Sequence, residues 1–417
     1  GNNGGDAFVV AYELAQRGVD IHLVDFGSES AGSADRAKAK ALCEQAGLRF
    51  TPPAQMVLQG AGLVVDGILG IGCTRAPQAE MAECIEAVNA ARIMGHLPTG
   101  RSSLTVVALD CPSGLNATNG ICPGEAIRAD LTLTYIALKT GLLFNMGRDH
   151  AGEVLVEPLG CEELLTQYGE VVTRTDKEHL HRLPQRGHQN HKGSFGSLAV
   201  IGGAQGMTGA CVLASRAAIM MGTGRVAMTL LAEEGRCQFM DPGYPELMNK
   251  TLQANLNFAD CCVAGPGFAQ GEASKMALQC ILGQGDLPKV LDADALNLLA
   301  AEPDLLKALQ EEHAHEDAHD LILTPHPMEA ARLLGVTVQE INENRIRSAV
   351  KLATAFNAVV VLKGSGTVIA NAEGCLVNCS GGPALATGGS GDVLAGVIGA
   401  FLAQGMDGFH AAATAVW

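Results

Sequence analysis

The sequence predicts an α/β protein built on parallel sheets and divided into two domains. Short apolar runs alternate with longer helical patterns along the chain, as in βαβ units. Hydrophobic residues make up 47% of the 417 residues although aromatic residues make up only 4%. Cores of this composition consist of Val, Leu, Ile and Ala, which buried parallel strands favour. A chain of this length exceeds the usual size of one domain. We place the domains at residues 1–172 and 173–417.

Ten apolar runs are predicted to be strands, and four segments with helical periodicity to be helices. The strands are residues 20–27, 62–69, 104–110, 131–137, 197–203, 225–231, 261–267, 289–294, 321–327 and 358–364, and the helices are 7–17, 208–221, 328–334 and 342–356. The polar segment 173–194, which contains Pro, Arg and four His, marks the domain boundary and is predicted to lack regular structure.

Charge and composition exclude several classes of partner. The net charge of −16 repels a phosphate backbone, so we expect no nucleic-acid binding. No uncharged apolar run reaches the ~18 residues of a membrane span, so we expect no membrane association.

Thirteen cysteines without a C-x-x-C pair favour reduced thiols in a cytoplasmic protein. The chain opens without Met and stops at Trp417 inside a helical pattern, so we expect both ends to be cut.

A histidine-rich segment, residues 311–320, carries three His among acidic residues. Its spacing matches no metal-ligand template, so a solvated helix end or loop is favoured over a metal site.

Two glycine-rich or turn-forming segments in the first half suggest a binding site. In GNNGGD, residues 1–6, glycines before a predicted helix can converge backbone amides on an anion, although an ordinary helix N-terminus with Asp6 in its first turn explains the pattern as well. In LDCPSGLNATNG, a predicted strand ends at Asp110, where ligands of open α/β sheets bind. Asp110 suits acid–base chemistry or a cation, and Ser113 adds a hydroxyl; the alternative is a capping turn.

Two further segments in the second half favour a nucleotide site. In VVVLKGSGTVIAN, a Lys and small donors share one turn and suit a phosphate or ribose, and a plain β-hairpin is the alternative. In GGPALATGGSGDVLAG, the carboxylate of Asp392 stands between a glycine run and a helix. A base at the mouth of an anion site can take a proton from a hydroxyl while amides hold phosphoryl oxygens. The alternative is an acid that stabilises the helix dipole.

His326 lies between two prolines at a strand end, with Glu329 in the helical turn that follows. This placement presents the ring rigidly, so a substrate-positioning role is favoured over a core histidine.

These segments, in this order, resemble the bifunctional NAD(P)H-hydrate repair enzymes, in which an epimerase domain is fused to an ADP-dependent dehydratase domain. The first half is similar to the epimerases through GNNGGD, VVDGILGIG and LDCPSGLNATNG. The second half is similar to the dehydratases through HKGSFGSLAVIGG, AGPG, LDADALNLL, LTPHPMEAARLLG, VLKGSGT and ATGGSGDVLAGVIGAFLAQG. The strand that precedes GNNGGD in that family is absent, so we expect the first domain to lack a central strand.

The resemblance implies a Rossmann-like three-layer domain followed by a ribokinase-like α/β domain. It implies that the first domain interconverts the R and S hydrates of NADH and NADPH, and that the second uses ADP to phosphorylate the S hydroxyl. Loss of phosphate then restores NAD(P)H and leaves AMP. We expect a homo-oligomer that uses K⁺ in the epimerase domain and Mg²⁺ in the dehydratase domain.

The resemblance also implies roles for individual residues. Catalysis is expected from Asp110 and Asp392, and K⁺ binding from Asn3, Asp66 and Ser113. Nucleotide binding is expected from Lys363, Gly364, Ser365, Gly366, Thr367 and Gly391. Besides the two catalytic residues, the expected substrate contacts are Asn2, Asn3, Gly4, Gly5, Asp6, Gly70, Ile71, Gly72, Cys73, Thr74, Arg75, Ala76, Ala210, Gly267 and His326.

Two other functions share part of this pattern. A ribokinase-like kinase of a small vitamin-type alcohol would also use Asp392, Lys363 and the glycines, but such kinases lack an epimerase-like half. A catalytically inactive nucleotide-binding scaffold is disfavoured by the presence of Asp110, Asp392 and His326.

Overall fold

The computed structural model describes residues 2–27, 33–94, 104–168, 173–175, 180–183, 185–231, 240–313 and 320–417. They form two compact units, Gly1–Glu170 and Val171–Trp417; the domain bounds taken from the sequence remain a prediction. Within these ranges, no helix is both long and apolar enough to cross a membrane. Of the histidine-rich segment 311–320, residues 314–319 lie outside the described part of the chain.

The first unit contains two parallel sheets. Strands β1 (Leu23–Val24) and β2 (Phe50–Thr51) pair with each other, and a second sheet has the order β3–β4–β5–β6. The strands of the second sheet are β3 (Leu63–Asp66), β4 (Thr105–Leu109), β5 (Leu131–Tyr135) and β6 (Glu153–Glu157), and the helices are α1 (Asn2–Gln16), α2 (Ala34–Gln45), α3 (Ala79–Met94), α4 (Gly147–His150) and α5 (Glu162–Tyr168). Among the described residues, no strand joins β1 to β3. A cavity of about 750 Å³ is lined by residues of α1, β1 and β3.

Helix α1 begins at Asn2, five residues before the predicted start, so reading GNNGGD as a loop is wrong. The glycines let this turn of α1 pack closely on α2. A Cβ atom at Gly5 would lie 3.2 Å from the Cα of Arg36, and one at Gly4 would lie 3.5 Å from its Nε. Phe8 and Ala11 on the same helix are buried in the core that α1 shares with α2. Packing therefore overrides the low helix propensity of glycine.

The second unit is built on a ten-stranded sheet with the order β10–β9–β8–β11–β12–β13–β14–β15–β16–β7. All neighbouring strands are parallel except the pairs β14–β15 and β15–β16. The strands are β7 (Thr173–Arg174), β8 (Ser197–Gly202), β9 (Arg225–Leu230), β10 (Met248–Asn249), β11 (Cys261–Ala264), β12 (Lys289–Leu291), β13 (Leu321–Leu323), β14 (Val359–Leu362), β15 (Val368–Ala370) and β16 (Cys375–Val377).

The structure describes ten helices in this unit. They are α6 (Thr208–Met220), α7 (Leu252–Leu256), α8 (Glu272–Leu282), α9 (Asp294–Ala301), α10 (Pro303–Glu312), α11 (Pro327–Leu334), α12 (Val338–Glu343), α13 (Arg345–Phe356), α14 (Ser390–Ala403) and α15 (Gly408–Val416).

Each of the ten predicted strands contains an observed strand, although the observed ones are shorter. The predicted helix 342–356 is interrupted at Asn344, between α12 and α13. The prediction that 173–194 lacks regular structure is wrong at both ends. Residues 173 and 174 form β7, which pairs with the free edge of β16, and a 3₁₀ turn covers Lys192–Phe195.

Helix α14 packs on α6 with almost no space between the two backbones. A Cβ atom at Gly396 would lie 2.1 Å from the carbonyl oxygen of Ala214, and one at Gly399 would lie 2.4 Å from a methyl group of Val263. The glycines of α14 therefore allow the helix that carries Asp392 to lie against the sheet.

Gly396→Ala is expected to lower the free energy of unfolding of the second unit by about 1–3 kcal/mol, the usual cost of overpacking. Gly209→Ala is the matched control, because it is also a helix glycine but has no atom within 4 Å of the added Cβ. The control is expected to be neutral or slightly stabilising. Thermal unfolding measures both, and equal midpoints for the two variants would contradict the close contact of α14 with α6.

Candidate functional site

In the second unit, polar side chains converge where parallel strands β12, β13 and β14 end. Asp292 follows β12, Thr324 follows β13 and Lys363 follows β14, and the carboxyl ends of parallel strands share one edge of the sheet. The Oδ1 atom of Asp292 accepts hydrogen bonds from Lys363 Nζ at 2.6 Å and from Thr324 Oγ1 at 2.7 Å. Asp292 is only 1% exposed, so this ion pair is shielded from solvent on the carboxylate side.

Asp392 lies beside this ion pair, in the first turn of α14. Burial raises the pKa of its carboxyl, the negative charge of Asp292 raises it further, and Lys363 opposes the shift. At the preceding residue, a Cβ on Gly391 would lie 3.6 Å from Lys363 Nζ and 3.9 Å from Asp292 Oδ2. The structure thus brings together the proposed base, Asp392, and the proposed nucleotide-binding residues Lys363 and Gly391.

The turn from Lys363 to Thr367 connects β14 to β15, so the hairpin alternative describes its backbone correctly. Gly364 and Gly366 have φ values of 141° and 69°, in the region that favours glycine. The buried guanidinium of Arg345 donates from Nη2 to the carbonyl oxygens of Leu362, Lys363 and Gly366 at 3.1–3.4 Å. Arg345 was missed in the sequence, where it is only one residue of a predicted helix.

His326 is the N-cap of α11, and both of its ring nitrogens have partners there. Nδ1 accepts the N–H groups of Met328 and Glu329 at 3.1 and 3.3 Å, and Nε2 lies 3.1 Å from Glu329 Oε1. The Glu329 carboxylate accepts the His326 N–H at 2.8 Å, which completes a capping box. Glu329 is 4% exposed, and burial raises its pKa to about 7. The substrate-positioning role of His326 stays a prediction.

Ala210 and Gly267 lie next to each other near this edge. A Cβ on Gly267 would lie 3.1 Å from the Cβ of Ala210, and Gly267 follows β11 with φ 62°. One helical turn beyond Ala210, a Cβ on Gly389 would lie 2.5 Å from Leu213 Cδ1. These contacts connect the predicted substrate residues of α6 to the glycine run that precedes Asp392.

In the first unit, the three residues predicted to bind K⁺ meet at the end of β3. Asp66 is 2% exposed, and its carboxylate accepts the Oγ–H of Ser113 at 2.5 Å and the N–H of Ser113 at 2.8 Å. The N–H of Leu69 donates to Ser113 Oγ at 2.8 Å, and Asn3 Nδ2 donates to the Leu69 carbonyl at 2.8 Å. Burial raises the pKa of Asp66 to about 6. Among the described atoms, Asn3 Oδ1 is buried with no hydrogen-bond partner.

Asp110 follows β4 with the left-handed φ of 61°, which a non-glycine residue adopts at an energetic cost. Its carboxylate contacts Lys139 Nζ at 2.6 Å and accepts the Thr134 hydroxyl at 3.3 Å. Burial raises the pKa of Asp6, and the negative charge of Asp110 raises it further. The Asp6 carboxyl therefore lies close enough to Asp110 to interact with it electrostatically. Lys139 was missed, although its position just beyond the predicted strand 131–137 could have placed it at this edge.

The predicted substrate loop from Gly70 to Ala76 lies near the same residues. A Cβ on Gly70 would lie 3.2 Å from the Cβ of Asn3, and a Cβ on Gly124 would lie 2.9 Å from that of Ala76. Cys73 is buried, and burial raises the pKa of its thiol. The remaining members of the loop are exposed: Ile71, Gly72, Thr74, Arg75 and Ala76.

Comparisons with known proteins cover both units. Residues 198–417 match the family model described as NAD(P)H-hydrate dehydratase, and residues 1–141 match the model described as YjeF-related protein N-terminus. The chain is 36% identical to the bifunctional NAD(P)H-hydrate repair enzyme of Escherichia coli (strain K12), over 99% of this chain and 76% of that protein. The corresponding enzyme of Coxiella burnetii is also 36% identical, over 97% of this chain and 79% of that protein.

Solved structures also resemble this chain. One of them is the ADP/ATP-dependent NAD(P)H-hydrate dehydratase of Bacillus subtilis, crystallised with ATP and Mg²⁺, which is 31% identical with a TM-score of 0.50. The match covers 59% of this chain and 86% of that protein. The predicted fold class, a Rossmann-like domain followed by a ribokinase-like domain, is confirmed.

Asp292→Asn is expected to lower the pKa of Asp392, because it removes a negative charge from the neighbourhood of that carboxyl. The pKa should stay above its usual range, since burial is the larger cause of the shift. A pH titration of the carboxyl ¹³C resonances measures it, with Asp392→Asn to assign the signal.

Asp294→Asn is the matched control, because Asp294 lies two residues further on but accepts its hydrogen bonds from the Ala269 N–H and from Asn297. An Asp392 titration that is the same in both variants would contradict the electrostatic contact with Asp292.

Proposed function

Because the chain belongs to the family of bifunctional NAD(P)H-hydrate repair enzymes, we propose that it restores NADH and NADPH that have been damaged by addition of water to the nicotinamide ring. The first unit interconverts the R and S hydrates. The second unit converts the S hydrate and ADP into NAD(P)H, AMP and phosphate. The observation that carries the proposal is the meeting of Asp392, Lys363 and Gly391 at one edge of the second sheet.

In the second unit, we propose that Asp392 accepts the proton of the C6 hydroxyl. The hydroxyl oxygen forms a bond to the β-phosphorus of ADP, and the bond from that phosphorus to the AMP oxygen breaks. The C6–O bond then breaks, phosphate leaves with the electron pair, and loss of a C5 proton restores the ring double bond. A raised pKa suits Asp392 to this role, because a general base works best when its pKa approaches the operating pH.

The residues from Lys363 to Thr367 are proposed to hold the nucleotide. Lys363 supplies a positive charge for phosphate oxygens, and the small residues of the turn let the backbone approach them. Ala210, Gly267 and His326 are proposed to contact the hydrate. The half-exposed ring of His326 is fixed by its capping box, so it would position the hydrate by its surface rather than by a free ring nitrogen.

Mg²⁺ fits the donors at this edge for two reasons. The carboxylates of Asp292 and Asp392 together carry more negative charge than the ammonium group of Lys363 compensates. Their oxygen atoms are also the donors that Mg²⁺ prefers. When bound with the nucleotide, the ion neutralises charge on the transferring phosphoryl group. Asp292 and Asp392 are the residues that would hold it.

In the first unit, we propose that Asp110 is the acid–base residue of the epimerisation and that Lys139 fixes its carboxylate. Asn2 to Asp6 and the loop from Gly70 to Ala76 are proposed to contact the hydrate.

K⁺ fits Asn3, Asp66 and Ser113, because Asn3 Oδ1 is buried without a partner among the described atoms and Asp66 is a buried carboxylate. The ion would compensate the charge of Asp66. The cytoplasmic location and the homo-oligomeric state stay predictions.

Asp392→Asn and Asp110→Asn are expected to separate the two activities. Asp392→Asn should abolish dehydration of the S hydrate while ADP binds within a few-fold of the wild-type affinity. Asp110→Asn should leave dehydration of the S hydrate intact but lower the rate of conversion of the R hydrate by roughly 10²–10⁴-fold, the usual contribution of an acid–base group. Recovery of dihydronicotinamide absorbance from pure R or S hydrate with ADP measures both.

Each variant is the control for the other, because each leaves one unit unchanged. Undiminished dehydration by Asp392→Asn would contradict its role as the base. Phosphorylation of a vitamin-type alcohol by the wild type, without absorbance recovery, would overturn the proposed function of the second unit.

K⁺ is expected to stabilise the first unit above about pH 6. The folded-state pKa of Asp66, about 6, exceeds its unfolded value of 3.8, so the unfolded state loses its proton first as the pH rises. Without a bound cation, the free energy of unfolding should therefore fall between about pH 4 and pH 6, by up to about 3 kcal/mol. K⁺ should restore part of this stability, and tetramethylammonium, which is too large, should not.

Hydrogen exchange of peptides that cover β3 and β4 measures this effect within the whole chain. Asp66→Asn should remove both the pH dependence and the response to K⁺. Equal exchange in the two salts at pH 7 would contradict K⁺ binding at Asp66.

A further inference from the structure

Three side chains of the second unit that the proposed reaction does not use form a compact set of metal-ligand donors. His181, Asp407 and His410 each offer one ligand atom, and the three atoms all lie within 4.8 Å of one another. His181 belongs to the described segment 180–183, whereas Asp407 and His410 belong to the beginning of α15. The set therefore joins two parts of the chain that are far apart in sequence.

The start of α15 fixes two of the three donors. Asp407 is the N-cap of α15, and its Oδ1 accepts the backbone N–H of His410 at 3.1 Å. The same carboxylate lies 2.7 and 2.9 Å from His410 Nδ1.

The third donor is held against α15 by its backbone and its ring. The N–H of His181 donates to Thr414 Oγ1 at 3.2 Å. Its imidazole stacks on that of His410, with ring centroids 3.6 Å apart and an angle of 20° between the planes. Because the lone pairs of stacked imidazoles point in nearly parallel directions, both rings can bind one ion only after one of them turns about its Cβ–Cγ bond.

We propose that His181, Asp407 and His410 bind a divalent transition-metal ion of the zinc class. Two imidazole nitrogens and one carboxylate oxygen suit Zn²⁺ or Co²⁺, whereas Mg²⁺ and Ca²⁺ prefer oxygen donors alone. Three protein ligands leave a fourth position for water, and the exposure of His181 and Asp407 gives an ion access from solvent. The ion fastens segment 180–183 to α15.

Titration of the full chain, without a polyhistidine tag, with Co²⁺ tests the site. We expect saturable binding of one Co²⁺ with the visible absorption of a low-coordinate site, displaced by Zn²⁺ but not by excess Mg²⁺. His181→Ala should weaken Co²⁺ binding by roughly tenfold or more, since even residues that only support metal ligands contribute 10–100-fold. His188→Ala is the matched control, because His188 is an exposed histidine of the same polar stretch outside the cluster, and it should bind as the wild type does.

His181→Ala leaves the Asp407 cap of α15 in place, so its circular dichroism should equal that of the wild type. Three results would overturn the site: no saturable Co²⁺ binding below millimolar concentration, equal binding by His181→Ala and the wild type, or equal loss in His188→Ala. The test does not depend on NAD(P)H-hydrate repair, so its failure leaves the proposed function untouched.

Discussion

The candidate site of the second unit depends on the buried ion pair between Asp292 and Lys363. A carboxylate that is almost fully buried needs a partner, because removing one member of such a pair leaves an uncompensated charge in a medium of low polarity. The pair connects the ends of β12 and β14 across β13, with Thr324 as a third member. Both charges of the pair act on Asp392: Asp292 raises the pKa of its carboxyl and Lys363 lowers it.

Both units use the same arrangement. In the first, the carboxylate of Asp110 after β4 contacts the ammonium group of Lys139 after β5. In the second, Asp292 and Lys363 form an ion pair after β12 and β14, which run parallel within one sheet. The edge where parallel strands end brings together side chains that are far apart in sequence, and it leaves them open to a ligand. In both cases the sheet itself thus places a carboxylate next to a fixed cation.

The sequence predicted ten of the sixteen described strands and part of the site, and the failures have physical causes. A strand end followed by Lys363, and a helix preceded by glycines, were enough to predict that Lys363 and Asp392 serve one site. Asp292 was visible in the motif LDADALNLL, but its partner depends on the strand order β12–β13–β14, which spacing along the chain does not determine. Tertiary packing on Arg36 turned GNNGGD into helix against its local propensity. At His326, the flanking prolines were recognised but the capping box was not.

The three carbonyl contacts of Arg345 have a consequence for affinity. A glycine-rich turn normally samples many conformations, and a ligand that selects one of them must offset the lost entropy. Here a guanidinium inside the protein already holds the carbonyl groups of the hairpin turn in one arrangement. A nucleotide bound at this turn, as proposed, would therefore meet a preorganised backbone and would lose less of its contact energy to ordering the turn.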